Sequence, residues 1–235
     1  MRRYFFVLLY ALIYIPCSAQ HTLGLKAGGG LSKIPTARNE NLTVQKDYFT
    51  FSGAEGVYYD YRLKKRHSFS AELLFVQVRG TERLEYYSSG QAGNLTGYYF
   101  IEDYSRFICY AGIPVYYNFR YKGFHVNLGF QTMLAMKSRG RIKGETGQNS
   151  VSTPLDTKIN KLDISNYSYG PRAGVIVRVY KKLSAEAVLY YGINTVLADQ
   201  PAFSYLWKIQ QLTIGIRYRL YQTEYDPKKV NAVLE

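Results

Sequence analysis

The chain has 235 residues, 47% of them hydrophobic and 20% charged, with a formal net charge of +13 and only two cysteines. That length is enough for one domain. The basic residues are spread over turns, loops and polar strand faces and do not gather on one helix or stripe, so nucleic-acid binding is not expected.

The N-terminus reads as an export signal. Arg2 and Arg3 precede an apolar run from Tyr4 to Ile15. A spanning helix needs about 20 residues, so this run is too short to cross a bilayer. Cys17-Ser18-Ala19 supplies small residues at a cleavage site, placing the cut before Gln20 and the signal at 1–19. A lipoprotein signal with Cys17 as the lipidated residue is the rival reading; Tyr14-Ile15-Pro16 fits a lipobox poorly. After cleavage Cys109 is the one cysteine, so no intrachain disulfide forms.

Eight segments then alternate apolar and polar residues with the period of two that marks a strand with two unlike faces. The first, about 21–31, sets Leu23, Leu25, Ala27 and Leu31 against Gly24, Lys26, Gly28 and Gly30. The second, about 48–62, aligns Phe49, Phe51, Val57, Tyr59 and Tyr61. Glu55 falls on the same face, which calls for a bulge or a one-residue slip. The turn Lys64-Lys65-Arg66-His67 leads to the third, about 68–79, with Phe69, Ala71, Leu73 and Phe75 opposite Ser70 and Glu72.

After a polar connection over 80–103, the fourth strand, about 104–121, aligns Phe107, Cys109, Ala111, Ile113, Val115, Tyr117 and Phe119. Pro114 lies on the other face and predicts a bulge. The turn Lys122-Gly123 opens the fifth strand, 123–137, whose apolar face runs from Phe124 to Met136. A connection over 139–163 follows, then strand six at about 165–180, with Arg172, Gly174 and Arg178 opposite Ala173, Val175, Val177 and Val179. Lys181-Lys182 turns the chain into strand seven, with Leu183, Ala185, Ala187, Leu189 and Tyr191 on one face and Ser184, Glu186 and Tyr190 on the other. Loop 193–206 precedes strand eight at about 207–221, where Leu212, Ile214, Ile216, Tyr218 and Leu220 oppose Gln211, Thr213, Gly215, Arg217 and Arg219.

Connections alternate long and short. An even strand number, short turns on one side and long loops on the other are the signature of an antiparallel up-and-down transmembrane β-barrel in an outer membrane. A soluble barrel would show the same alternation with its faces inverted. The polar face decides: Lys26, Glu72, Arg172, Arg178, Glu186, Arg217 and Arg219 carry both signs, as a narrow closed lumen requires of buried charges. The 25 tyrosines suit the rings of such a barrel at the two lipid–water boundaries. The expected fold is therefore an eight-stranded barrel over 20–221. Both chain ends lie on the periplasmic side, and 222–235 forms a short periplasmic tail.

Several motifs carry a resemblance. Gly24-Leu25-Lys26-Ala27-Gly28-Gly29-Gly30-Leu31, Gly56-Val57-Tyr58-Tyr59-Asp60-Tyr61-Arg62-Leu63, Glu72-Leu73-Leu74-Phe75, Ile113-Pro114-Val115, Gly174, Gly192 and Gly215-Ile216-Arg217-Tyr218-Arg219-Leu220 occur in order along the mature chain. Together they resemble the PorT-like outer-membrane β-barrel-domain family of the bacterial phylum that uses type IX secretion. The resemblance implies an eight-stranded barrel and leaves activity open; the namesake acts in secretion and gliding. The tail departs from the family pattern, in which barrels end on the closing strand.

No catalytic constellation emerges. His21, His67 and His125 fall near the periplasmic rim, and the loop acids Glu102, Asp103, Asp156 and Asp163 have no histidine beside them in sequence. No metal-ligand spacing, phosphate loop or nucleophile elbow is present, so neither enzyme activity nor a cofactor is expected. An eight-stranded lumen filled by side chains is not a pore. The expected function is a structural or surface-interaction role through the outward loops, with outer-membrane lipid and lipopolysaccharide as surroundings and a protein partner at the loops or the periplasmic tail. Lys137, Arg139, Arg141, Lys143, Lys158 and Lys161 make loop 139–163 a basic patch suited to an anionic ligand. An accessory role in secretion through the periplasmic side is the alternative.

Overall fold

The computed structural model describes residues 20–34, 44–88, 98–148, 151–194 and 208–223. The expected signal peptide, most of the tail and most of loop 193–206 lie outside the described residues. Ten strands form: β1 (Gln20–Lys33), β2 (Val44–Tyr48), β3 (Thr50–Lys64), β4 (His67–Ser88), β5 (Tyr98–Tyr121), β6 (Phe124–Gln148), β7 (Val151–Ile159), β8 (Tyr167–Tyr180), β9 (Leu183–Tyr191) and β10 (Gln210–Gln222). Eight of them close a ring in the order β1-β3-β4-β5-β6-β8-β9-β10, with β10 pairing back onto β1, every pair antiparallel. Closure leaves the ring with no edge, the one way a sheet satisfies its backbone in lipid.

Three two-residue turns, at Lys65-Arg66, Lys122-Gly123 and Lys181-Lys182, lie at one end with Gln20 and Gln222. Lys122 and Gly123 have φ of 42° and 103°, the doubly left-handed geometry that lets a two-residue hairpin follow the strand twist. This is the periplasmic end of an outer-membrane barrel. Rings cluster on its outside: His21 with Tyr61 at 5.4 Å, His67 with Phe119 at 5.5 Å, and Tyr121 with Phe124 at 5.7 Å. Above them runs a continuous exposed apolar belt, with Leu73, Ile113, Leu128 and Ile214 each more than half exposed. A patch of that extent is unstable in water and belongs in a bilayer.

At the other end β4, β5 and β6 run on past the ring. β2 pairs with the upper part of β4, and β7 with the upper part of β6, so five strands make an extracellular sheet. The connections expected over 80–103 and 139–163 are thus largely strand. The faces exchange character where the sheet leaves the belt. On β4 the outward row passes from Phe69, Ala71, Leu73 and Phe75 to Gln77, Arg79 and Thr81, while the inward row passes from Ser70 and Glu72 to Leu74, Val76 and Val78. The inward apolar residues join Ile34, Ile108, Tyr110, Met133, Leu162, Tyr190 and Ile209 in a core that fills the upper lumen. The solvent outside has changed from lipid to water, and the side to which apolar groups retreat has changed with it.

The register differs from expectation at two places. β3 pairs without a shift through Glu55, which therefore faces outward opposite Ala27 and Phe75. Pro114, which has no N–H, interrupts the β4–β5 ladder between Ala71–Val115 and Leu74–Gly112 but leaves the register unchanged, so no bulge forms there. The bulge is on β6, where Cys109 pairs with Lys137 and Tyr110 with Ala135, leaving Met136 unpaired.

Candidate functional site: a closed lumen and two cationic surfaces

Five of the charged residues expected in the lumen meet at mid-height. Lys26 of β1 lies 3.2 Å from Glu72 of β4 and also pairs with Glu186 of β9. Arg172 of β8 lies 3.2 Å from Glu72, and Arg217 of β10 lies 3.9 Å from Glu186. Arg217 also reaches Asp60 of β3 at 3.1 Å, and Tyr116 of β5 donates to Glu72 at 2.5 Å. The guanidinium of Arg217 lies 3.7 Å from the Tyr58 ring centroid, and that of Arg172 lies 4.3 Å from Tyr116. Three cations face three carboxylates, so each charge in the cluster has a partner of opposite sign.

Asp60, Tyr58 and Tyr116 were not picked out from sequence. The alternation Tyr58-Asp60 against Tyr59-Tyr61 is the signal that turns them inward. The space between this cluster and the apolar core above it is about 20 Å³, room for about one water.

Arg178 and Arg219 stand apart from the cluster. With Arg120, Lys181, Lys182 and His125 they line a cup of about 280 Å³ at the periplasmic mouth. Arg219 donates to the Lys181 carbonyl at 2.8 Å and to Gln222. Arg120 Nε donates to His125 Nε2 at 2.8 Å, so that ring nitrogen carries no proton.

Five of the six residues of the expected basic loop lie on strands. The odd residues of β6 above Met136, namely Lys137, Arg139, Arg141 and Lys143, face outward because the bulge shifts the alternation by one. Arg79 of β4, Phe107 of β5 and Arg139 of β6 form one cross-strand row. Both guanidinium groups pack on the Phe107 ring, at 5.1 and 4.7 Å from its centroid. With Lys137, Arg141 and Lys158 they line a groove of about 850 Å³ just above the apolar belt.

Arg141 is held by Asp156 through two bonds of 2.8 and 2.6 Å, and this hydrogen bond keeps the Asp156 carboxyl below the usual range. Among the described residues no carboxylate pairs with Arg79, Lys137, Arg139 or Lys158 within 4 Å. Lys143 lies above the groove and Lys161 in the bend after β7, both exposed. Arg79 and Phe107 were missed because their place beside Arg139 depends on the bulge.

A closed eight-stranded antiparallel ring with an apolar exterior, a charge-paired lumen and a polar extension at one end defines an integral outer-membrane β-barrel. The family model for the outer membrane protein beta-barrel domain matches residues 18–198, and the chain belongs to that family. Among solved structures the chain is similar to Neisserial surface protein A, NspA, at 14% identity over 84% of this chain and 97% of that one, with a TM-score of 0.41. It is also similar to Ail, the attachment invasion locus protein of Yersinia pestis in complex with the heparin analogue sucrose octasulfate, at 12% identity over 86% and 99% of the two chains, with a TM-score of 0.41. The outer membrane protease OmpT of Escherichia coli is 11% identical over 88% and 98%, with a TM-score of 0.27. No curated protein matches the chain.

Proposed function

We propose that this barrel is a non-enzymatic surface protein whose extracellular sheet engages an anionic glycolipid or glycan, lipopolysaccharide phosphates being the nearest source. The row Arg79–Phe107–Arg139 carries this reading. It points away from the lumen at the height where the apolar belt ends and headgroups begin. Guanidinium groups held on a ring are pre-organised, and arginine matches phosphate oxygens two at a time. Among the described residues that line the groove there is no histidine, cysteine or carboxylate.

The test is binding of lipid A to the purified protein in neutral detergent, with and without the phosphates on the lipid. The double variant Arg139→Ser with Lys158→Ser is expected to weaken binding of the phosphorylated form by about tenfold and to leave the dephosphorylated form unaffected. Equal affinity of variant and parent for both forms would sink the reading. The accessory role in secretion rests on the resemblance to PorT-like barrels. It requires that cargo accumulate in the periplasm of a strain lacking the gene.

A further inference from the structure

The cup at the periplasmic mouth is a second concave cationic surface, separated from the groove by the full height of the barrel. It is built from rigid parts: the ends of β5, β6, β8 and β10 and the two-residue turn at Lys181-Lys182. Its roof is closed, since Tyr58 lies there with Arg217 packed on its ring. The cup is therefore blind and leads to no channel.

Its charges do not balance. Arg120, Arg178, Lys181, Lys182 and Arg219 line it, and among the described residues the single lining carboxylate is Asp60. That carboxylate already accepts from Ser70 at 2.5 Å and from Arg217 at 3.1 Å. His125 accepts from Arg120 and adds no negative charge. The remaining N–H groups of Arg120 meet no protein acceptor among the described residues, and the Arg178 guanidinium meets none. The lumen cluster above pairs cation with carboxylate one for one, so the excess is a property of this cup and not of the barrel interior at large.

Like charges crowded into a concave, partly shielded site repel unless a counter-ion joins them, and such a site concentrates anions. We propose that the periplasmic cup binds a phosphate-type oxyanion, its donors being the guanidinium groups of Arg120, Arg178 and Arg219 and the ammonium groups of Lys181 and Lys182. The volume suits a phosphate, or a phosphate carried on a small polyol or lipid headgroup; a folded protein does not enter it.

The experiment is calorimetric titration with inorganic phosphate, in neutral detergent at low ionic strength, of the full protein carrying Arg139→Ser with Lys158→Ser, which removes the extracellular groove from the reading. One saturable site per barrel is expected, weakening as salt is added. Arg178→Ala with Lys182→Ala changes two exposed residues at strand ends, and it is expected to weaken binding by about tenfold or more. Lys64→Ala with Lys65→Ala removes two exposed charges from the same rim outside the cup and is expected to leave phosphate affinity unchanged.

Absence of a saturable site overturns the proposal. So does equal loss in the Lys64 and Lys65 pair, or an unchanged affinity in the cup's own pair when its heat-dependent gel shift shows a folded barrel. Should that pair fail to fold, Lys181→Ala alone carries the same comparison. Repeating the titration in phosphatidylcholine nanodiscs with and without phosphatidic acid separates the sources. Competition by phosphatidic acid assigns the site to headgroups, and its lack assigns it to soluble phosphates.

Discussion

Arg172 and Glu72 meet across the lumen at 3.2 Å although their strands are separated by two others on the shorter way round the ring. The barrel interior is thus spanned by side chains, and the same contact that holds the walls together obstructs any path through them.

Glu72→Ala leaves Lys26 and Arg172 without a carboxylate they share, and is expected to cost about 3–5 kcal/mol, the range for breaking a buried pair from one side. Urea unfolding in detergent micelles measures it. Planar-bilayer conductance is expected to stay at the parent's level, since the apolar core above is untouched. A folded, equally stable variant with new conductance would contradict the closed lumen.

Gly24 lies against the Tyr58 ring, and a Cβ there would come within 2.5 Å of ring carbons and 2.4 Å of the Tyr218 carbonyl oxygen. Gly24→Ala is expected to displace Tyr58, and with it the seat of Arg217, at a cost of about 1–3 kcal/mol. Combining it with Tyr58→Ala, in a double-mutant cycle, is expected to give less than the sum of the two single costs, and additive costs would rule the contact out.

Glu55 faces the lipid among Ala27, Val57 and Phe75. Glu55→Leu is expected to raise folding stability by up to about 2 kcal/mol, because acidic groups on the lipid face destabilise, though less than basic ones. A loss of stability in the same unfolding assay would show that the carboxylate has a partner inside the barrel.

The Arg141–Asp156 pair fixes the β6–β7 hairpin in water, with Lys143 and Lys158 adding to the positive field at the carboxylate. The Asp156 carboxyl is lowered from 3.8 in the folded hairpin, so its stabilisation is present above that value and is lost as the pH falls through the lower, folded one. A spin label on Thr153→Cys is expected to gain mobility on acidification below pH 3.8. Asp156→Asn is expected to show that mobility at every pH; a label indifferent to both changes would exclude the pair as the hairpin's clasp.

The ring was legible in the sequence because each spanning strand keeps one solvent on each face. Phe69 to Phe75 alternate cleanly, and Lys65-Arg66, Lys122-Gly123 and Lys181-Lys182 punctuate the chain at the periplasmic turns. The extension was not legible for the same reason turned around. From Gln77 onward the polar residues face out and Leu74, Val76 and Val78 face in, so a rule that assigns apolar residues to the outside reads a strand as a loop. Of the lumen residues, Lys26, Glu72, Arg172, Glu186 and Arg217 stood out as charges on a strand face. Their partnership does not follow from position along the chain, and the same charge type at the same alternation put Arg178 and Arg219 in the periplasmic cup. Phe107 and Arg79 were hidden by a bulge whose position no residue type announces.

That bulge makes the electrostatic character of the outer surface a matter of counting. With Met136 present, four successive odd-numbered cations look outward. Delete it, leaving every other residue in place, and Ala135 and Lys137 become consecutive opposite Tyr110 and Cys109, so the same four still look outward along an unbroken ladder. A single-codon deletion at this one position would thus straighten the strand and keep the surface, where the same loss elsewhere on a strand turns every later side chain over. Divergence among such barrels can therefore change the length of the strand at this position without changing what the surface can hold.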